Sequence, residues 1–357
     1  MRISHLGKVS ALLAMVLAVV VGASSTAHAQ FYKLTFLTAD ESGKAANTDP
    51  SLVNPWGISL SPTGPFWVSD NVTGLSTLYD SNGVPQTLVV KIPAHGGGTG
   101  SPTGTVFNGS SDFVVAENGK SGAALFLFDS LDGTISGWSS GVDAANAIIA
   151  VDNAAQGAIY TGMELANNGS GNFLYVTNFF AGTVEVYDGG FHKTNLTGSF
   201  TDPNLPAGYA PYNIRKIGNK LYVVYCKQNQ AKNFPQVGAG LGLVDIFDLD
   251  GNFVKRFAAK GKLNAPWGIA QAPKKFGTFS KAILVGNLGD GRISGYDATT
   301  HKLLGQLKNK AGKAIVLDGL WALTFGNGGL GGSTNILYFT SGPSFYAHGR
   351  FGSITAH

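Results

Sequence analysis

Two sets of polar and aromatic residues occur where short apolar segments of the chain begin or end. The first set offers oxygen ligands of the kind that Ca²⁺ and Mg²⁺ prefer, and its members are Asp70, Glu117, Asn178 and Asn213. The second set combines aromatic rings with amides, which suits a polar organic ligand, and its members are Asn54, Trp56, Asn71, Tyr212, Trp267 and Trp321. These residues are the candidate metal site and the candidate ligand site, provided that the fold brings their segments together.

The same residues also have a purely structural interpretation, which the sequence leaves open. Asn and Asp commonly end strands because their side chains form Asx turns, and Trp packs well between sheets. No set of residues has the spacing of a known catalytic site. The single G-x-S-x-G match at 137–141 is not followed by the helical segment that a nucleophilic serine of this motif requires. The histidines do not have the spacing of zinc ligands. We therefore assign no catalytic residue and favour a binding protein over an enzyme. The expected partner is a protein, a glycan or a small polar ligand, with no cofactor required but Ca²⁺ or Mg²⁺ as an option.

A repeated strand ending indicates the fold that would position these residues. Five apolar segments end in an aromatic residue followed by aspartate, and the steps between the aspartates are 49, 59, 60 and 49 residues. The aspartates are Asp80, Asp129, Asp188, Asp248 and Asp297. Strand-rich repeats of about 40–50 residues are typical of β-propeller blades. We interpret these segments as third strands of blades and their aspartates as turn formers, at the face opposite to the candidate sites.

Two further segments of the repeat set the number of blades. Six apolar segments fit second strands: 66–70, 113–117, 173–178, 221–225, 283–287 and 336–340. Inner strands are opened by proline in sequences such as Asn54-Pro55-Trp56-Gly57, where no ladder N–H is lost, and glycine allows close approach at the axis. The sequence predicts an all-β, six-bladed propeller of four-stranded blades. The blades are expected to begin near Ser51, Ser101, Ala147, Ala207, Gly261 and Ala314.

The ends of the chain predict how the ring closes. The last repeat supplies only three strands, at 320–325, 336–340 and 350–355, whereas a single strand at 32–37 precedes the first repeat. Pairing this N-terminal strand into the last blade would complete that blade and limit the exposed sheet edges.

The first 29 residues have the pattern of a secretory signal peptide, with Arg2 and Lys8 before an apolar stretch at 12–21. The A-x-A pattern at 27–29 predicts cleavage between Ala29 and Gln30, a single propeller domain over 30–357, and a secreted or periplasmic location. The net charge is +4 and the basic residues are scattered, which argues against nucleic acid as a partner. No later segment is long and apolar enough to predict an integral membrane segment. The lone Cys226 excludes an internal disulfide and is expected to be buried and inert.

The motifs Asn54–Ser59, Trp67–Asn71 and Ala265–Ile269 resemble those of NHL-type six-bladed propellers, and more narrowly an uncharacterised family of exported bacterial propellers. The resemblance implies the six-bladed fold but no established activity. Some members carry a C-terminal sorting tail, a pattern that the last residues of this sequence lack. Six-bladed lactonases hold a divalent ion at the top of the channel, and the candidate metal ligands could imitate them. This alternative, a metal-dependent lactonase-like hydrolase, is weakened because Asn54-Pro55-Trp56 replaces the early glutamate of those enzymes.

Overall fold

Six sheets, antiparallel except for the pairing of one short N-terminal strand, are arranged as a six-bladed β-propeller in the computed structural model, which describes residues 30–357. The fold class predicted from the repeats is confirmed. The predicted signal peptide and its cleavage site lie outside the described residues, apart from Gln30, and stay predictions. No helix within 30–357 is both long enough and apolar enough to cross a membrane.

Each blade is built from four consecutive strands, except blade 2, which carries an extra hairpin, and blade 6, in which both ends of the described chain take part. Two N-terminal strands precede the blades, β1 (Tyr32–Ala39) and β2 (Asn47–Thr48). Blade 1 contains β3 (Pro55–Leu60), β4 (Phe66–Asp70), β5 (Leu75–Tyr79) and β6 (Val90–Lys91). Blade 2 and its extra hairpin contain β7 (Pro102–Phe107), β8 (Val114–Glu117), β9 (Lys120–Ala123), β10 (Phe126–Ser130), β11 (Thr134–Trp138) and β12 (Ile148–Asp152). Blade 3 contains β13 (Tyr160–Asn167), β14 (Asn172–Asn178), β15 (Thr183–Tyr187) and β16 (Lys193–Thr194).

The remaining three blades follow the same order. Blade 4 contains β17 (Tyr209–Ile217), β18 (Lys220–Lys227), β19 (Leu243–Phe247) and β20 (Phe253–Ala259). Blade 5 contains β21 (Pro266–Gln271), β22 (Ile283–Asn287), β23 (Ile293–Tyr296) and β24 (Leu303–Gln306). Blade 6 contains β25 (Leu320–Phe325), β26 (Leu337–Ser341) and β27 (Arg350–Ala356). Within residues 30–357, helical structure is limited to two 3₁₀ turns, Ala154–Gln156 and Gly277–Phe279, and the short turn Pro343–Tyr346.

The inner strands pack so closely around the axis that glycine is required on them. A Cβ atom on Gly57 would lie 2.6 Å from the carbonyl oxygen of Thr103 in blade 2. A Cβ atom on Gly268 would lie 2.5 Å from the carbonyl oxygen of Trp321 in blade 6. Both contacts are with backbone of the neighbouring blade, which cannot move aside cheaply, so these glycines fix the spacing of the ring.

The N-terminal strand closes the ring as predicted. Strand β1 pairs antiparallel with β27, with partners running from Tyr32 and Ala356 to Ala39 and Arg350. The short strand β2 adds a fifth strand outside β1. Blade 6 therefore depends on both ends of the described chain, and its sheet is held by pairing between segments more than 300 residues apart.

Blade 2 departs from the prediction. The segment 113–117 was assigned as its second strand, but Val114–Glu117 forms a separate hairpin with β9, and the second strand is β10. All five residues of β10 are buried, whereas Val114, Ala116 and Glu117 are exposed. The hairpin lengthens the blade, so the predicted start of blade 3 at Ala147 falls just before β12, the last strand of blade 2. Two apolar segments of similar length, β8 and β10, could each have formed the second strand of blade 2. Their burial in the folded protein distinguishes them.

Candidate functional site

The inner strands begin, and the second strands end, at one face of the ring, which we call the channel-top face. Four predicted ligand residues meet there on the axis. Trp56 stacks on Trp321 with 3.5 Å between the ring centroids, and Trp267 meets Trp56 edge-on at 6.1 Å. Tyr212 lies 6.2 Å from Trp56 and 6.4 Å from Trp321. All four are at most 4% exposed. They form an aromatic plug in the channel rather than a platform open to a ligand.

The two amides of the predicted ligand site hold this plug in place. Asn54 accepts a hydrogen bond at 2.9 Å from the Trp321 indole N–H and donates one at 3.3 Å to the side chain of Asn71. Asn71 in turn donates to the carbonyl oxygens of Ser101 and Pro102, each at 3.2 Å. These bonds connect blades 6, 1 and 2. The amide groups are therefore engaged in joining blades, in keeping with the structural interpretation.

The four predicted metal ligands are not brought together. The Asn178 side-chain oxygen accepts from the backbone N–H groups of residues 159 and 181, and its amide donates to Glu185 at 3.0 Å. Asn213 donates to the Trp267 carbonyl at 2.9 Å, and its oxygen accepts from the N–H of residue 214. Glu117 is exposed at the tip of the β8–β9 hairpin, outside the blade sheets, because the segment that carries it is not a second strand.

Asp70 is the exception, since it is fully buried and only partly hydrogen-bonded. Its Oδ2 atom accepts from the Thr77 backbone N–H and hydroxyl at 3.2 and 2.7 Å, but its Oδ1 atom has no partner within 30–357. Burial raises the pKa of Asp70 well above its usual range. A neutral carboxyl avoids the cost of burying an unpaired charge.

Asp129 is a second buried carboxyl, and the sequence analysis assigned it wrongly. Four of the five repeated aspartates follow third strands and accept hydrogen bonds from backbone N–H groups two to four residues later, as predicted for Asx turns. Asp129 instead lies in the second strand β10 and accepts from Gly104 N–H and, at 2.8 Å, from the Thr103 hydroxyl. Burial raises its pKa to about 6. The turn that follows β10 is formed by Asp132-Gly133 instead. This turn sequence was the signal that could have placed Asp129 inside a strand.

One compact group of potential metal ligands lies within 30–357, at the seam where the ring closes. It consists of Asp40, Glu41 and His348. Arg350 reaches into the same group and donates to Asp40 at 3.1 Å and to Glu41 at 2.8 Å. The hydrogen bond from Arg350 lowers the pKa of Glu41. Since a cation already pairs with both carboxylates, the group acts as a clamp between the strand ends rather than as an evident metal centre.

A strained turn stands above the plug on the channel-top face. Ser344, Phe345 and Tyr346 have φ values of 58°, 55° and 68°, a left-handed conformation that is costly for residues other than glycine. The Ser344 N–H donates to Asp318 at 2.9 Å, and the Tyr346 ring packs on Trp321 at 5.7 Å. Between them, Phe345 is 97% exposed. This turn was not predicted from the sequence, because no glycine stands at its left-handed positions.

Two uncharacterized proteins of Acanthamoeba polyphaga mimivirus are each 32% identical to this chain. One aligns over 297 residues, covering 82% of this chain and 73% of the viral protein, and the other over 301 residues, covering 82% and 78%. The chain belongs to their family. These relatives are viral, so they do not support the bacterial family that the motif resemblance predicted. No family model matches the sequence.

Solved propellers share the fold at much lower identity. A streptogramin B lyase gives a TM-score of 0.53 at 11% identity, covering 92% of this chain and 98% of the lyase. The aldose sugar dehydrogenase of Escherichia coli gives 0.53 at 11%, covering 91% and 99%. A calcium-binding regucalcin of Agrobacterium tumefaciens gives 0.51 at 12%, covering 85% and 90%. At these identities the likeness shows the propeller fold alone.

Proposed function

We propose that this protein is a binding protein that holds a partner protein against its channel-top face, with Phe345 as the central contact. The observation that carries the proposal is the 97% exposure of Phe345 on a left-handed turn that is anchored at both ends. Strained backbone persists only where its surroundings enforce it, and it concentrates at functional sites. Aromatic side chains also dominate the energetics of protein interfaces.

Further exposed apolar side chains lie on the same face of the ring. They belong to loops that connect second to third strands, or one blade to the next, and the topology places all such loops on the channel-top face. The exposed members are Val72, Phe180, Val237 and Val316. A partner with an apolar contact surface suits this face, where the aromatic plug fills the channel.

Substitution of Phe345 tests the proposal. We would capture binding proteins from culture fluid and envelope extracts, purify the partner, and compare its affinity for the wild type, Phe345→Ser and Leu330→Ser. Leu330 is a matched control because it is 55% exposed in the loop between β25 and β26, on the opposite face. Phe345→Ser should weaken binding about 30-fold, as an interface hot spot does, with unchanged melting. Absence of any partner, or equal effects of the two variants, would refute the proposal, and a glycan array would identify a glycan instead.

A metal-dependent hydrolase is the second candidate, and the unpartnered Oδ1 of Asp70 is the observation that favours it. A hydrolase of this kind requires Ca²⁺ or Mg²⁺ to bind the native protein near Asp70. Added Ca²⁺ should then raise the melting temperature of the wild type but not of Asp70→Asn. An unchanged melting temperature in the wild type would leave this candidate without support.

A further inference from the structure

A pocket of about 340 Å³ lies away from the axis, between loops of blades 4 and 5 on the channel-top face. Its walls come from the β18–β19, β20–β21 and β22–β23 loops, from the end of β24 and from the β24–β25 loop. Three small residues of these walls, Ala239, Gly261 and Ala314, leave the interior open. The volume falls within the range of about 300–1,000 Å³ that is usual for small-molecule sites. The lining does not include Phe345, so this inference is independent of the partner proposed above.

Two cationic side chains line this pocket and keep most of their hydrogen-bonding capacity. Lys262 is exposed and forms no ion pair with any residue of 30–357. Arg292 is 43% exposed, and its Nη1 atom donates to Asp290 Oδ2 at 3.2 Å, whereas its other guanidinium N–H groups donate to none of these residues. Two exposed lysines, Lys260 and Lys313, directly precede other lining residues in the sequence. The pocket therefore offers free donors to an anionic group.

Oxygen acceptors stand beside these cations in the same pocket. Asp290 Oδ1 accepts from the Asn287 amide at 3.0 Å and from the Arg292 backbone N–H at 3.2 Å, but its Oδ2 atom accepts from the Arg292 guanidinium alone. The Gln306 amide donates to the Ser294 hydroxyl at 3.3 Å, and its side-chain oxygen accepts from no residue of 30–357. Each of these oxygens can accept a further hydrogen bond from a hydroxyl group.

We propose that this pocket binds an acidic sugar, a uronic acid or a short chain of them. The sugar carboxylate accepts hydrogen bonds from the Arg292 guanidinium and the Lys262 ammonium group, and a planar guanidinium is well suited to this pairing. The sugar hydroxyls donate to Asp290 and Gln306. Two cations and one carboxylate leave the lining with one net positive charge, which a single carboxylate neutralises. Inorganic phosphate offers no row of hydroxyls to the two acceptors and brings more negative charge next to Asp290.

A trimer of galacturonic acid is a suitable probe, with maltotriose as the uncharged control of similar size. Calorimetry should show one trigalacturonate site per chain, maltotriose binding at least tenfold more weakly, and an affinity that falls with added salt because exposed charges are screened. Arg292→Gln should reduce trigalacturonate affinity at least tenfold, and Arg292→Lys should reduce it less. Lys302→Gln is the matched control, because it removes an exposed charge in the turn between β23 and β24, on the opposite face, and should have no effect.

Lys262→Gln keeps the proposal testable if Arg292→Gln does not fold, since Lys262 is exposed and pairs with no acidic residue of 30–357. It should also weaken trigalacturonate binding at least tenfold while the melting temperature stays unchanged. Inorganic phosphate and triglutamate distinguish sugar recognition from simple attraction of negative charge, and both should bind at least tenfold more weakly than trigalacturonate. The proposal is overturned if trigalacturonate does not bind, if maltotriose, phosphate or triglutamate binds equally well, or if both Arg292→Gln and Lys262→Gln bind trigalacturonate as the wild type does.

Discussion

Closure of the ring by the N-terminal strand makes Tyr32 a sensitive point of the whole fold. Tyr32 is 2% exposed, and its ring packs against Phe276 and Phe279 of blade 5 at centroid distances of 5.1 and 5.8 Å. Its hydroxyl donates to the Phe276 carbonyl at 3.0 Å and accepts the Phe279 N–H at 3.2 Å. One side chain of β1 thus secures blade 6 against blade 5. We expect Tyr32→Ala to lower the free energy of unfolding by about 3–5 kcal/mol, as for other buried aromatic residues.

The variant Tyr32→Phe separates packing from hydrogen bonding. It keeps the ring but leaves the Phe276 carbonyl and the Phe279 N–H without their partner, which should cost about 1–3 kcal/mol. Phe36→Ala is the matched control, because Phe36 lies on the same strand and is 38% exposed. It should cost less than about 1 kcal/mol, as most surface changes do.

Urea denaturation of the chain beginning at Gln30, followed by tryptophan fluorescence and circular dichroism, measures these differences. Coincident transitions would show that loss of the closing strand unfolds the ring as one unit. If Tyr32→Ala costs no more than Phe36→Ala, then β1 is a dispensable edge strand and the inference that it closes the ring energetically is refuted.

Two further predictions concern buried ionisable groups. Because burial raises the pKa of Asp129 to about 6 from 3.8, the folded state binds more protons than the unfolded state between these values, and stability falls as pH rises through them. Asp129→Asn should therefore stabilise the protein by up to about 3 kcal/mol at pH 7.5 and by nothing near pH 3.5. Urea denaturation at the two pH values measures this difference. A variant that is less stable than the wild type at pH 7.5 would contradict the prediction. Cys226 is fully buried, and burial raises the pKa of its thiol. Ellman's reagent should therefore label one thiol per chain in urea and none in the native protein. Rapid labelling of the native protein would contradict this prediction.

The fold was predictable because its determinants are local and repeated. Proline near the start of several inner strands, glycine two residues later and the recurring strand endings each have a conformational cause, and the repeated copies reinforce one another. Closure followed from counting strands, since the last repeat has three and the N-terminus one. Blade 2 was misread because its extra hairpin carries a run of apolar residues as suitable for a strand as β10. Only contacts with neighbouring blades decide which of the two is buried.

The candidate site was less predictable because side-chain direction does not follow simple alternation here. The pairing of inner with second strands shifts between Pro55 and Ile58 and again between Pro266 and Gly268. Such bulges redirect side chains locally, so spacing along the sequence does not determine which residue faces the axis. The sequence correctly brought Trp56 and Trp267 to one place. It could not show that they would fill the channel and bury each other.

The aromatic plug also determines what supports the turn that carries Phe345. Trp56 and Trp321 stack at 3.5 Å on the axis, and the inner-strand glycines hold the blades at fixed spacing. The turn rests on this plug because the Tyr346 ring packs on Trp321. Since close-packed interiors do not deform continuously, we expect the turn to keep its conformation when a partner binds to Phe345.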